Sequence, residues 1–469
     1  MTSKKQTALN LAMLSTIFTL AWPTMLEQFM QTAVQYIDTA MVGSLGTQAT
    51  AAVGATSTVN WLVMSTISAI GIGFLAFISQ AYGAKEYDKA RRASAQATSI
   101  TLTVGVIFTL LMTVLSGYVP AWMQVDPSIR ELAGRYFLII YAPMLFRVAT
   151  IVFGTILRAV GDTRTPMRVG VAVNIINVVL NFLLIYPSRT IQVFSLSIPM
   201  IGAGWGVVGA AVASAISYAY GGIAITFALW KHKEVSPKGQ RMTPDFEILR
   251  PCFKVAIPNM FQRFGTSLGF VVFAAMINAL GDVSTAAHTI ANTVESAFYI
   301  PGWGMQTAAA TLAGNAYGAR NRGKLDELSR TIVPLEMALM VISGALLFLF
   351  AEPLMRIFSQ DPEVINLGAT VLRMVAISEP FYGVPIVVEG MMQGVGKTVA
   401  PLIYNVAGMW SVRILGTFIC TRLLGMGLVS AWGCMIGHNM LLCVLFGFQF
   451  LSGRWNPMRS EHLSPSSAA

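Results

Sequence analysis

AYGAKEYDKARRA occupies residues 81–93, where a long apolar run gives way to charge, and its first four residues return as AYGA at 316–319, 235 positions later. The same offset carries Pro23 to Pro258, Leu45-Gly46 to Leu280-Gly281, and Thr50-Ala51-Ala52 to Thr285-Ala286-Ala287. It also carries Asp126-Pro127 to Asp361-Pro362 and GDTRTP at 161–166 to GKTVAP at 396–401. One unbroken offset from residue 23 to 166 means that the two halves share one local architecture. Further on, GWGVVGAA (204–211) corresponds to GMGLVSAW (425–432) at an offset of 221, so the first half holds about fourteen extra residues near 187–203.

The stretches between these turns suit lipid. Hydrophobic residues make up 55% of the 469 and charged ones 11%, less than half the ~25% of an ordinary globular chain. A membrane helix needs ~20 mostly apolar residues, because lipid offers the backbone no hydrogen-bond partner. Twelve segments qualify: 14–42, 51–80, 94–117, 129–159, 165–186, 204–230, 249–279, 285–315, 330–352, 364–394, 398–420 and 426–452. With the N-terminus inside, 22 of the 31 basic residues fall on inside segments, 4 on outside segments and 5 within spans. That is a strong positive-inside bias. The net charge of +10 therefore orients the chain, with both termini cytoplasmic, and no basic stripe interleaved with aromatics points to nucleic acid.

Six spans per repeat is an even number, so both halves enter the membrane the same way up. They are parallel repeats about an axis along the membrane normal, an arrangement associated with alternating-access carriers. The expected fold is an all-α integral membrane protein with twelve transmembrane helices in two six-helix bundles. Residues 1–230 form the N-terminal lobe, 231–248 a cytoplasmic linker, 249–452 the C-terminal lobe and 453–469 a cytoplasmic tail. A monomer in the lipid bilayer is expected.

Other chemistries find little support. Cys252, Cys420, Cys434 and Cys443 lie in apolar stretches without CxxC spacing, so neither a disulfide framework nor a zinc site is indicated. Lys4 and Lys5 precede an apolar run too long for a signal peptide and lacking a cleavage pattern. Gly394-Val395-Gly396-Lys397-Thr398 mimics the end of a phosphate loop, but Met391 stands where its first glycine should be. No metalloprotease, nucleophile-elbow or dinucleotide fingerprint stands out, so the chain is not read as an enzyme, and no cofactor is expected beyond a coupling ion, H⁺ or Na⁺.

An ionisable group at the centre of a span costs at least ~2.5 kcal/mol, so each is a functional candidate. Glu27 and Asp38 lie in the first span, Arg147 in the fourth, Arg263 in the seventh, Glu295 in the eighth, Glu379 and Glu389 in the tenth, and Arg413 in the eleventh. Asp38 stands out, because a solitary carboxylate in low dielectric must take a proton or bind a cation. Its image at the 235 offset is Phe273, which confines any ion coupling there to the first half. Asn174, Asn177 and Asn181 share one stripe of the fifth span, where their amides can serve Asp38 or merely join helices. Arg263 and Glu295 are expected to pair with each other, and Glu27, Glu379 and Glu389 to line a cavity or sit near an aqueous mouth. His288 and His438 are expected to be packed core residues. Pro23 should kink or soften the helix that carries Asp38.

Several stretches resemble the MATE (multidrug and toxic compound extrusion) transporters, of the bacterial NorM/DinF kind. They are Pro23…Gln31-Thr32…Ile37-Asp38-Thr39…Val42-Gly43…Leu45-Gly46, the GDTRTP turn, the paired AYGA loops, and Asn177-Val-Val-Leu-Asn181 followed by LLIY. The resemblance covers nearly the whole chain. It implies two six-helix lobes in a V shape that expel organic cations and drugs against an inward H⁺ or Na⁺ gradient. The family's first-span cation-site aspartate falls on Asp38 and its fifth-span asparagine on Asn177. Many members have Asp where this chain has Asn181, and NorM-like members carry a seventh-span glutamate where it has Thr266. The expectation is thus a cytoplasmic-membrane drug antiporter with Asp38, Asn177 and Asn181 as its cation-coupling residues. Its substrate cavity is expected to include Glu27, Gln31, Arg263, Glu295, Glu379 and Glu389. The alternative is a flippase-like exporter of lipid-linked or cell-envelope precursors, which would call for several cavity-facing arginines.

Overall fold

A computed structural model describes residues 2–123, 125–193 and 196–460. The side chains of 2–10, 47, 55–58, 191–193, 196–198 and 460 are not described, so those of Lys4 and Lys5, and residues 461–469 of the tail, lie outside the described residues. The first repeat comprises α1 (Thr2–Gly43), α2 (Thr47–Gly83), α3 (Tyr87–Leu115), the short α4 (Val119–Trp122), α5 (Arg130–Tyr141), α6 (Met144–Ala159), α7 (Arg164–Leu184) and α8 (Gly206–Lys231). The second comprises α9 (Phe246–Asn278), α10 (Asp282–Phe298), α11 (Ile300–Gly318), α12 (Arg322–Phe358), α13 (Pro362–Gly394) and α14 (Val399–Gly408). From α14 the chain runs through a π-helical stretch Met409–Ile414, α15 (Leu415–Phe418) and a second π stretch Ile419–Leu423 to α16 (Leu428–Ser452) and the short α17 (Pro457–Ser460).

Eleven of the twelve expected segments coincide with a helix or an adjoining pair of helices, and the other, 398–420, runs through α14, the first π stretch and α15 into the second π stretch. Among the described residues nine helices are long and apolar enough to cross a membrane, or ten when α5 and α6, bent by 47° across Ala142-Pro143, count as one span. The eighth span is also broken, at Tyr299, where Pro301 opens α11. The chain is a multi-pass membrane protein.

The repeat holds at the level of single dihedrals. Left-handed backbone occurs at Gly46 and Gly281, at Lys85 and Arg320, and at Gly161 and Gly396, each pair 235 apart. The extra residues of the first half form an antiparallel β-hairpin, β1 (Pro187–Val193) with β2 (Leu196–Ala203), which refines the all-α expectation. Tyr186 at its base ties the end of α1 to that of α7: its hydroxyl lies 2.8 Å from Ser44 Oγ and donates to the Met41 carbonyl at 3.3 Å.

The turns expected on the inside gather on one face. The linker runs 232–245, shorter than 231–248, because the Asp245 carboxylate caps α9 by accepting from Glu247 N at 3.1 Å. Arg92 bridges to Asp245, and Gln96 Nε2 donates to the Thr243 carbonyl at 2.8 Å, fixing the linker along α3. A cavity of about 560 Å³ on this face is lined by Gln80, Glu86, Lys89, Arg320 and Arg322 from both repeats.

The lobes are interlocked. Ile17 and Ala21 of α1 are buried in the core of the C-terminal lobe with Met305, Ala309 and Leu312. Their images Cys252 and Ala256, at offset 235, lean the other way: Cys252 belongs to the core of the N-terminal lobe, and a Cβ at Gly73 on α2 would come within 2.9 Å of Ala256 Cβ. Nearer the basic face, a Cβ at Gly83 would overlap the Asn315 carbonyl and one at Gly318 the Gln80 carbonyl. Gly83 and Gly318 are images of each other, and so are Gln80 and Asn315. Gln80 Nε2 also donates to the Gly394 carbonyl at 2.9 Å, and Thr311 Oγ1 to the Arg158 carbonyl at 3.1 Å, each bond crossing between lobes.

This contact tolerates no side chain at either glycine. With the four native cysteines replaced by serine, a short bismaleimide should cross-link Gln80→Cys to Asn315→Cys efficiently. Adding Gly83→Leu should cut that yield several-fold while the protein stays helical by circular dichroism. An undiminished yield would show that the helices do not rely on this approach.

Candidate functional site

Asp38 lies five residues before the end of α1, half-buried, facing the amide stripe of α7. Asn177 and Asn181 are one helical turn apart on that stripe and are 5% and 1% exposed. Asn181 Nδ2 donates to Asp38 Oδ1 at 2.5 Å. One arm of the Asn177 amide lies 2.9 Å from Asp38 Oδ1 and 3.1 Å from Oδ2, and the other lies 3.1 Å from Ser214 Oγ on α8. With nitrogen toward the aspartate, Asn177 donates to a carboxylate and accepts from Ser214. With oxygen toward it, Asn177 donates to Ser214 and accepts from Asn181 at 3.2 Å, and the facing carboxyl must supply the proton of the shared contact. Asn177 thus bridges Asp38 on α1 and Ser214 on α8 through the two arms of one amide. Asn174 takes no part in these bonds.

Among the described residues Asp38 has no arginine or lysine partner. The arginine of the fourth span, Arg147, is engaged elsewhere: Nη1 donates to Asn60 Oδ1 at 2.9 Å and the guanidinium stacks 4.3 Å from the Tyr218 ring. Pro23 is buried, and α1 continues through it without a break. Glu27 is engaged too: its Oε2 accepts from Arg158 Nη2 at 2.6 Å. The pairing was not legible in sequence, where Arg158, at the end of the fourth span, counts only as one of the inside basic residues. Gln31, one turn further along α1, is exposed.

In the second repeat the image of this site has different chemistry. Phe273 stands in place of Asp38, Val412 in place of Asn177 and Gly416 in place of Asn181. The buried Arg413, in the first π stretch, lays its guanidinium 4.2 Å from the Phe273 ring and 4.8 Å from Phe270. The expected Arg263–Glu295 ion pair does not form. Arg263 Nε donates to Asn259 Oδ1 at 2.9 Å on its own helix, whereas Glu295 Oε1 accepts from the Tyr299 hydroxyl at 2.6 Å. Each is taken by a neighbour one helical turn away in its own stretch of chain, Asn259 for Arg263 and Tyr299 for Glu295.

Glu389 accepts from three amides, Gln262 Nε2 at 2.8 Å, Gln393 Nε2 at 3.0 Å and Asn405 Nδ2 at 3.1 Å. Glu379 is fully buried beside Glu295 and the Tyr299 hydroxyl, whereas Glu336 on α12 is fully buried with neither carboxylate oxygen hydrogen-bonded. Glu336 escaped the sequence reading although it lies inside the span 330–352, where the rule that singled out the other acids applies equally. His288 accepts from Trp432 Nε1 at 3.2 Å and His438 is buried beside Gly408, both as core residues.

Removing one partner of a fully buried ion pair costs roughly 3–5 kcal/mol. Arg158 and Glu27 retain 17% and 15% exposure, so a smaller penalty is expected. Glu27→Gln should lower the thermal midpoint of the purified protein by several degrees, and adding Arg158→Gln should recover most of it. Equal midpoints for the parent and Glu27→Gln would show that the pair contributes nothing to stability.

A family model described as MatE matches residues 23–183 and 258–419, once in each repeat. The probable multidrug resistance protein NorM of Thermotoga maritima is 28% identical over 93% of this chain and 92% of its own. The probable multidrug resistance protein YpnP of Bacillus subtilis is 26% identical over 93% and 94%. Among solved structures, an outward-facing multidrug resistance MATE transporter of the MOP superfamily superposes with a TM-score of 0.86 at 23% identity over 95% of this chain and 96% of that one. A MATE crystal structure in the bent conformation superposes with 0.85 at 23% identity over 96% and 97%. The chain belongs to the MatE family, whose members are transporters and not enzymes.

Proposed function

We propose that this MatE-family chain is a multidrug efflux antiporter of the bacterial cytoplasmic membrane, exporting organic cations and drugs in exchange for protons bound at Asp38. The observation that carries the reading is a half-buried aspartate held only by two amides and backed by a serine, where α1, α7 and α8 meet. An amide nitrogen, not an oxygen, faces Asp38 from Asn181, which suits a proton-binding carboxyl better than a Na⁺ cage.

With the proton absent, the Asp38 carboxylate draws donors from both Asn177 and Asn181 and holds α1 against α7. Hydrogen bonds to a charged group are worth roughly 1.5–3 kcal/mol each, and 1.4 kcal/mol is a tenfold change in a conformational ratio. Protonation exchanges one such bond for a neutral one, a difference of about 1–1.5 kcal/mol that moves the balance between two positions of α1 about tenfold. Met13, Ile17 and Ala21 of α1 pack in the other lobe, with Pro23 between them and Asp38, so a shift at Asp38 reaches the lobe interface. Drug and proton exchange because each favours a different arrangement of that interface.

In this reading the basic face is cytoplasmic and both termini lie there. Glu295, Glu379 and Glu389 give the C-terminal lobe acidic character suited to cations. Arg413 is stacked on phenylalanines, so little remains for the phosphates of a lipid-linked precursor.

Ethidium and fluoroquinolone efflux from proteoliposomes, with proton and Na⁺ gradients imposed separately, tests this. A proton gradient alone should drive efflux, and Asp38→Asn should reduce it at least tenfold. Efflux driven only by Na⁺ would replace the coupling ion, and full activity of Asp38→Asn would remove Asp38 from the mechanism.

A further inference from the structure

We propose that Glu336 is a second proton-binding carboxyl, housed in a glycine-lined slot of the C-terminal lobe between α11, α12 and α13 and independent of the Asp38 site. The side chain is 0% exposed, and neither carboxylate oxygen has a hydrogen-bond partner. Two glycines on two other helices make its room. A Cβ at Gly302 on α11 would lie 3.0 Å from Glu336 Oε1, and one at Gly383 on α13 would lie 3.1 Å from its Cγ. Ile386 and Met340 complete the apolar wall at Gly302.

Among the described residues the surroundings hold no counter-charge. α11 carries no acidic or basic residue. On α13, Glu379 lies one turn before Gly383 and faces Tyr299 and Glu295, Tyr382 is half-buried, and Glu389 is occupied by its three amides. Glu295 on α10 is bonded to Tyr299, and Glu27 on α1 to Arg158. On α12 itself the nearest basic residue, Arg330, is exposed six positions earlier, towards the basic face.

An ionised carboxylate sealed among such groups would have neither water nor a cation to offset its desolvation. A metal ion needs several oxygen ligands, and this slot supplies only the two of Glu336 itself. A proton needs no volume and no further ligand. The closed slot therefore holds a carboxylic acid. When the slot opens, the O–H bond breaks heterolytically, the proton passes to water, and the hydrated carboxylate remains.

The lid of the slot belongs to a helix engaged at the lobe interface. Gly302 lies two residues from Gly304, where α11 meets the Ala21 carbonyl of α1, just beyond the break at Tyr299. The far end of α11 carries Gly318, in contact with Gln80. Movement of α11 against α1 and α2 opens or closes the space around Glu336, so that its proton is exchanged with the change of shape. This last step rests on the antiport reading; the proton in the closed slot does not.

Dicyclohexylcarbodiimide adds to protonated carboxyls in apolar surroundings and leaves a stable N-acylurea that peptide mass spectrometry can place. In the reconstituted full-length protein at mildly acidic pH, the adduct is expected on Glu336 in both the parent and Asp38→Asn. Absence of an adduct there in the parent would overturn the proposal. A pH-indicator dye, followed while ethidium is added to the purified protein, reads the exchange. Glu336→Gln should lower proton release by about half and leave the release due to Asp38 intact. Unchanged release by Glu336→Gln would make Glu336 a permanently neutral filler of its slot and defeat its role as an exchanging site. Should Asp38→Asn leave release unchanged while Glu336→Gln removes it, the antiport reading through Asp38 fails and the Glu336 site stands.

Discussion

Two helix backbones meet where neither can carry a side chain, at Gly83 against Asn315 and at Gly318 against Gln80, and this reciprocal contact closes one side of the molecule. It is isologous in the way a two-fold dimer interface is, with each repeat offering the same patch to the other. Polar bonds frame it: Gln80 reaches the Gly394 carbonyl and Thr311 the Arg158 carbonyl. Because α1 at Met13, Ile17 and Ala21 and α9 at Ile248 and Cys252 are buried in the opposite lobe, the lobes cannot separate on this side without moving the first helix of each repeat. A carrier built this way has few independent parts. Its shape is set by how four helices sit around one pseudo-axis.

On that symmetric frame the chemistry is deliberately unequal. The first repeat places Asp38, Asn177 and Asn181 together. The second puts Phe273, Val412 and Gly416 at their images and fills the space with the guanidinium of Arg413. An internal arginine stacked on two rings is a cation that cannot leave, so the imaged site offers a mobile ion no vacancy. The acids of the second lobe lie on other helices, α10, α12 and α13, away from the image of Asp38. Duplication supplied the scaffold, and divergence of a few side chains left the acid–amide cluster in the first copy alone.

The scaffold was legible in the sequence because it rests on coarse signals. Apolar run length, the side on which lysine and arginine collect, and one constant offset each average over many residues. The offset even extends to backbone dihedrals, since left-handed turns at 46, 161 and 281, 396 follow from glycines quoted in the repeat. Side-chain pairing is a finer matter. Whether Arg263 meets Glu295 depends on helix rotation, which apolar sequence constrains weakly, and a rotation of one residue redirects a side chain by 100°. Arg158, at the end of the fourth span, finds its partner 131 residues away in Glu27. The hairpin at 187–203 announced itself only as an insertion, because Pro, Ser and Thr there signal a break in helix without specifying strand pairing. Glu336 needed no better signal than the other acids had.

The amide cluster at Asp38 explains why a small change can be felt far off. A carboxylate in water exchanges partners freely, and losing a proton there reorganises nothing. Between packed helices the partners are fixed, so the proton decides which of two hydrogen-bond arrangements is complete, and an incomplete one leaves a buried polar atom unpaired at a cost of about 1–3 kcal/mol. Asn181 Oδ1 is such an atom in the arrangement seen. The penalty is relieved if α7 or α1 shifts to give that oxygen a donor or water. Because α1 is anchored in the opposite lobe at Ile17 and Ala21, a local shift is converted into strain at the interface. The glycine contact, which has no side chains to yield, responds by holding or by parting.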